Sequence, residues 1–252
     1  MENRKNIVIY TVSESYFVAR SIKQLISFGC EIEHVFITTS SSNVSVLALL
    51  KKYFRLLYHL KYSDFVKGGY YYLFTAFFAK NRLESILNTA NVEFSYVQDI
   101  NSDEHINYVN RLDDCDCVFF IFNQIAKKSY LLNLKHNCYN LHMGYLPHYR
   151  GSNSIFFALA KKENETGVTL HQTVERIDSG KVVGRKKFKL SHESWFENLD
   201  TGFFAATELL REFCYGHETI ETLNKQNVDE GSYFSTPSIS NLKMFYKKFK
   251  FF

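Results

Sequence analysis

Prolines number two and glycines eleven in this chain of 252 residues. Where turn-formers are missing, functions drop out. The first strand-to-helix turn, "TVSES" (11–15), contains no glycine. Dinucleotide and P-loop sites need glycine there so that backbone N–H groups can approach phosphate. NAD, FAD and P-loop chemistry are disfavoured on that ground. No stretch reaches the uninterrupted apolar length of a membrane span, and "MENRKNIVIY" lacks the long apolar core of a signal peptide. The expectation is a cytoplasmic protein with no membrane insertion. Basic residues form no long run before the tail "KMFYKKFK" (243–250) and the formal charge is only +4, so nucleic acid is not an expected partner. Five cysteines is an odd count. Cys115 and Cys117 alternate within one strand pattern, with no second pair at zinc spacing. All five read as reduced thiols, and no metal site is expected. The chain shows neither an internal repeat nor a low-complexity segment.

What is present is an ordinary globular balance, 46% apolar and 22% charged, with a high aromatic share of 17%. The length suits one sizeable core, or a core domain with an appendage. "NIVIYTV" (6–12) is a short continuous apolar run, the pattern of a strand buried on both faces. "YFVARSIKQLISFG" (16–29) has helical apolar spacing and ends on Gly29, and "EIEHVFITT" (31–39) reads as a second strand. Strand–helix–strand this early predicts a parallel α/β sheet. Further strands are expected at 92–100, 115–123 and the start of 138–147, with helices at 102–112, 127–136 and 154–163. A strand pair at 167–190 and a long helix at 195–214 follow.

Residues 44–80 are dense in Leu, Tyr and Phe with interleaved Lys and Arg, and read as two apolar helices broken at Gly68–Gly69. A membrane-surface or partner-docking element has this look. A helical layer packed on the sheet has it more often, and is the reading preferred here.

The few turn-formers gather at "YNLHMGYLPHYRG" (139–151), which holds Pro147, Gly144 and Gly151. Asn140 and His142 stand two apart at the C-terminal end of a strand, so both point to one face. Parallel α/β sheets place their sites at that end. An amide donor beside an imidazole suits acyl-group transfer: the first stabilises a developing oxyanion, the second moves a proton. Asp178, in the turn "ERIDSGKVV" (175–183), is the candidate carboxylate to orient the imidazole and raise its basicity.

Together, "NLHMGYLPHYRG…ETGVTLHQTVERIDSGKVV" resembles the signature of the folate-dependent formyltransferases: Asn-x-His, a Leu-Pro turn, Arg-Gly, Gly-Val-Thr and Asp-x-Gly, in order. The likeness is strong over roughly residues 115–190 and weaker over the N-terminal strand–helix–strand. It implies a Rossmann-like, mainly parallel sheet flanked by helices, with residues 1–190 as catalytic domain and 191–252 as a small helical or hairpin extension. It also implies transfer of the formyl group of N10-formyltetrahydrofolate to an amine, with Asn140, His142 and Asp178 as the catalytic triad and His142 charged as it holds the oxyanion.

By the same resemblance, Phe122, Gln124, Ile125 and Ala126 hold the folate, with backbone near Val174 and Ile177. Arg150, Ser152, Asn153 and His171 are the expected substrate contacts. Many members carry Ser two residues after the His; here that place is Gly144, followed by Tyr145. The "GYLP…RG" form and the "VTLH" ending resemble the branch that formylates nucleotide-linked (dTDP or GDP) amino sugars for surface polysaccharide, and such a sugar is the expected partner. "GSYFSTPSISNLKMF" (231–245) resembles the Tyr-x-x-x-Pro segment of several sugar and tRNA formyltransferases. Methionyl-tRNA or a purine precursor is the alternative acceptor; the room after Leu190 is short for a nucleic-acid-binding barrel. A formyl-folate hydrolase would bring a regulatory domain before Ile7. An inactive scaffold homologue is the remaining alternative. The aromatic tail "FYKKFKFF" (245–252) would be unusual left in water, and a homodimer interface is expected there.

Overall fold

Ile7 and Ile9 leave strand β1 (Asn6–Val12) on one face, Val8 and Tyr10 on the other, and all four are fully buried. A strand that is apolar on both sides must sit inside a sheet covered on both sides. That is its place in the computed structural model, which describes residues 4–12, 16–38, 66, 70, 79–216, 226–227 and 229–235. After β1 come helix α1 (Tyr16–Ser27), β2 (Glu31–Thr38), α2 (Ala79–Thr89), β3 (Glu93–Val97), α3 (Asp103–Val109) and β4 (Asp116–Phe120). Next are α4 (Lys128–Asn133), β5 (Cys138–His142), β6 (Arg150–Gly151), α5 (Ser154–Ala160), β7 (Glu165–Gln172), β8 (Val182–Lys189), α6 (Trp195–Cys214) and β9 (Tyr233–Phe234).

The main sheet has seven strands in the order β3-β2-β1-β4-β5-β7-β8. β1 pairs in parallel with β2 and β4, β2 with β3, and β4 with β5, whereas β7 runs antiparallel to both β5 and β8. The sheet is therefore Rossmann-like and mainly parallel, with an antiparallel edge. One core face gathers Ile7, Ile9, Ile37, Phe120 and Leu141 against α1, α2, α5 and α6. The other gathers Val8, Tyr10, Phe36 and Phe119 with residues of α3 and α4 such as Ile106 and Tyr130. All five cysteines are free and buried. Among the described residues no helix is long and apolar enough to cross a membrane.

Most element positions agree with the sequence pattern, with shorter ends. The expected helix 102–112 stops at Val109, because Asn110 already caps it. Helix α2 stands where the pattern shows no element: among its residues of described burial, only Leu83 and Leu87 are fully buried, too thin a stripe to read. Helix α6 lies beyond the expected division at residue 190, and its Phe203, Ala206, Leu210 and Phe213 share one core cluster with β1 and α1. The aromatic segment 44–80 falls almost wholly outside the described residues, and the tail 245–252 wholly so.

Candidate active site

A cleft of about 610 Å³ opens past the ends of β4 and β5, walled by residues 121–126, 140–143, 151–155 and the loop after β7. Asn140, His142 and Asp178 all line it. The antiparallel register of β5 and β7 sets Asn140 opposite His171, and so brings a second histidine beside the pair.

Asp178 is the hub. Its Oδ1 accepts from Asn140 Nδ2 at 3.0 Å and lies 3.4 Å from His171 Nε2. Its Oδ2 accepts the backbone N–H of Gly151 at 2.7 Å and lies 3.5 Å from His142 Nδ1. Burial pushes the carboxyl up, but the His171 hydrogen bond, the two imidazoles and the Gly151 N–H outweigh it and hold Asp178 at about 2. It is a carboxylate at every physiological pH.

His142 is fixed from the other side. A carbonyl can only accept, so the 2.8 Å contact of Nε2 with Tyr149 O places a hydrogen on Nε2. Nδ1 is then the nitrogen with a free lone pair, and it faces Asp178. Burial lowers the imidazole's affinity for a proton, and this outweighs the opposing pull of Asp178 and the Tyr149 carbonyl. The resting ring is neutral. Desolvation of a nearly fully covered ring exceeds the attraction of one carboxylate.

His171, expected against the substrate, lines the cleft and also contacts Asn140 and Asp178. Its Nδ1–H donates to Gln172 O at 2.8 Å, and its Nε2 lies 3.4 Å from Asp178 Oδ1 and 3.3 Å from Asn140 Nδ2. Phe122, Gln124, Ile125, Ala126, Val174, Ile177, Ser152 and Asn153 all line the cleft. The Gln124 side chain, however, is bound to the scaffold: it accepts from Ile100 N at 3.0 Å and donates to Gln98 O at 2.8 Å. Arg150 is the exception. It is buried away from the cleft wall, with its guanidinium 6.0 Å from the Tyr233 ring centre. Its strand β6 pairs with β9, setting Arg150 opposite Tyr233.

Backbone in the left-handed region concentrates here. Ile121, Tyr149, Asn153 and Asp178 all have positive φ, at 52°, 58°, 57° and 49°. Such residues persist only where the surroundings enforce them, and they gather at functional sites. Gly151, with φ of 92°, is held by a neighbour as well: a Cβ there would overlap the Phe234 carbonyl of β9. Three contributors carry no sequence signal of their own. They are the Tyr149 carbonyl, the Gly151 N–H and Ser154 Oγ, which donates to Tyr149 O at 2.8 Å. Backbone groups show no identity in a sequence, and Ser154 reads as one more residue of a helix.

Residues 100–208 match the formyl transferase family. The chain is 29% identical over 141 residues to the bifunctional polymyxin resistance protein ArnA of Wigglesworthia glossinidia brevipalpis, covering 54% of this chain and 20% of that protein. It is 27% identical over 137 residues to the methionyl-tRNA formyltransferase of Finegoldia magna, covering 54% of this chain and 44% of that protein. The chain thus spans less than half the length of either relative. Its fold is similar to that of the N-formyltransferase from Helicobacter canadensis in complex with folinic acid and dTDP-3-aminofucose, with a TM-score of 0.55 at 14% identity over 98% of this chain and 80% of that one. It is likewise similar to phosphoribosylglycinamide formyltransferase from Bacillus halodurans, with a TM-score of 0.57 at 15% identity over 84% of this chain and 94% of that one.

Proposed function

We propose, for a chain whose residues 100–208 carry a formyl transferase domain, that the cleft transfers a formyl group from N10-formyltetrahydrofolate to the amine of a nucleotide-linked amino sugar. The observation that carries this reading is the convergence of Asn140 and His142 on one carboxylate, at 3.0 and 3.5 Å, in the wall of an open cleft.

The folate fits the rim. Ile125, Val174 and Ile177 are 65%, 41% and 40% exposed, an unusual openness for three branched apolar side chains around one opening. They, with Phe122, would hold its flat ring system by apolar contact. When bound, the folate supplies an activated formyl carbonyl. The residues of this chain do the rest. His142 Nδ1 takes the proton that the attacking amine loses, and a proton passes to N10 of the departing tetrahydrofolate as its bond to the formyl carbon breaks. The imidazolium so formed is stabilised by Asp178 on one side and the Tyr149 carbonyl on the other. Asn140 donates an N–H to the oxygen where negative charge develops; Asp178 holds its other N–H and fixes its aim. His171 keeps Asp178 in place.

The sugar acceptor is supported by the Helicobacter likeness, which extends over 98% of this chain, and by the "GYLP…RG" form of the motif. Methionyl-tRNA is the competing acceptor, favoured by the Finegoldia relative. Purified protein is tested with N10-formyltetrahydrofolate and dTDP-, GDP- and UDP-linked amino sugars, methionyl-tRNA and glycinamide ribonucleotide. Formylation of a sugar nucleotide alone supports the reading. Formylation of methionyl-tRNA or the ribonucleotide alone moves the acceptor, and no turnover with any amine overturns the enzyme.

A further inference from the structure

His142 Nε2–H does not reach its carbonyl alone. Tyr149 O accepts from Nε2 at 2.8 Å and from Ser154 Oγ at 2.8 Å, while Ser154 Oγ itself lies 3.2 Å from Nε2. The Ser154 hydrogen is committed to the carbonyl, so a lone pair of its oxygen faces Nε2–H. Both side chains are buried, at 3% and 7% exposure, and water does not substitute readily there. Asp178, 3.5 Å from Nδ1, and His171, whose ring centre is 6.4 Å away, are the titratable groups facing the imidazole. Neither has a contact with Nε2 among the described residues.

The hydroxyl occupies space that exists only because residue 144 has no side chain. A Cβ on Gly144 would stand 2.6 Å from His142 Nε2 and 2.9 Å from both Cβ and Oγ of Ser154. Gly144 is itself held, its carbonyl accepting from Thr169 Oγ1 at 2.7 Å, so it does not simply move aside. A side chain at 144 and the hydroxyl at 154 exclude one another.

We propose that Ser154 is a positioning residue, supplying from the start of α5 the hydroxyl that locks the His142 ring with Nε2–H inward and Nδ1 toward the cleft, with Gly144 as its steric partner. The assignment rests on the formyl-transfer reading of the same site. Losing one partner of a group that becomes charged costs about tenfold or more in rate.

The test combines kinetics with imidazole nitrogen NMR of the protein labelled with ¹⁵N-histidine. Wild type should show His142 as a single Nε2–H tautomer. Ser154→Ala should mix the tautomers, shift the ring's titration to lower pH and lower kcat about tenfold with KM little changed; Ser154→Thr should restore the wild-type spectrum and rate. Gly144→Ser alone should lose about a hundredfold, and Gly144→Ser with Ser154→Gly should regain about tenfold of that. A wild-type spectrum and rate in Ser154→Ala would overturn the proposal, as would a double variant no better than Gly144→Ser. If wild type formylates no amine, the reading of the site fails, while the tautomer measurement still decides whether Ser154 sets the ring.

Discussion

Asn140 Nδ2 and Asp178 Oδ1 stand 3.0 Å apart, although 38 residues separate them in the chain. The same carboxylate takes the Gly151 N–H, so Asp178→Asn sets an amide against two donors and can satisfy only one. The variant should lose about a hundredfold or more in kcat/KM. Its stability should differ from wild type in a pH-dependent way. The folded carboxyl sits at about 2, below its ordinary value of 3.8. A depressed acid contributes stability that is fully present above the unfolded value and is lost as pH falls through the folded one. The wild-type advantage over Asp178→Asn should therefore hold down to pH of about 4, then shrink by about 2 kcal/mol toward pH 2. Denaturant melts of both proteins at matched pH values measure this. A difference independent of pH would sink the assignment.

His142 gives a second pH test. Burial, the largest influence, lowers its proton affinity below that of an ordinary imidazole. A base that acts in its neutral form stays competent until pH falls to its folded value. The acid limb of kcat/KM should therefore lie below pH of about 6.5 rather than at it. Stability follows the same sign: present above the unfolded value, it declines as pH drops toward the folded one, because only the unfolded chain takes up the proton. His142→Asn should abolish the limb and lower kcat by about two orders of magnitude or more.

Gly151 joins the carboxylate to the short ladder of β6 and β9. Its N–H bonds Asp178 while its backbone, at φ of 92°, lies against the Phe234 carbonyl. Gly151→Ala forces that strand pair apart and withdraws a donor from Asp178. We expect a loss of about 1–3 kcal/mol in stability. kcat/KM should fall about tenfold or more. The Asp178 carboxyl should titrate at higher pH, since one of the groups holding it down is gone. Unchanged activity in a folded Gly151→Ala protein would show that the ladder does not reach the site.

The strands and the long helix were legible because their apolar periodicity is local. β1 at Asn6–Val12 and α6 at Trp195–Cys214 have the bounds their patterns mark. Asn140 and His142 were legible as a pair on one face of a strand end, and Asp178 as a carboxylate in a turn. What the pattern could not carry is what other segments do to a residue. Arg150 looks like a cleft residue, yet it is buried beside Tyr233 of β9, to which β6 pairs. The charge of His142 follows from how completely the ring is covered. Gln124 looks free until the ends of its amide meet Ile100 N and Gln98 O. Each of these depends on a chain segment tens of residues away.

Away from the cleft, a buried hydrogen-bond chain runs from Tyr130 OH to Tyr10 OH at 3.0 Å, and on to His105 Nε2 at 3.0 Å. Tyr10 accepts from one neighbour and donates to the other, so its hydroxyl is the link. Tyr10→Phe strands the Tyr130 hydrogen and the His105 lone pair together, in a fully buried place. Tyr130→Phe removes only a donor and leaves the Tyr10–His105 bond intact. The first should therefore cost about 1–3 kcal/mol and the second about 1 kcal/mol or less. Burial, with a smaller push from His34, holds His105 down at about 4, so the bare Nε2 that Tyr10 needs persists across the physiological range. As pH falls from the ordinary imidazole value toward 4, the unfolded chain alone is protonated and stability declines. The two variants should keep their order above that window. Chemical denaturation at pH 7 decides it: equal losses, or a larger loss for Tyr130→Phe, would mean that the hydroxyl of Tyr10 is not the shared link.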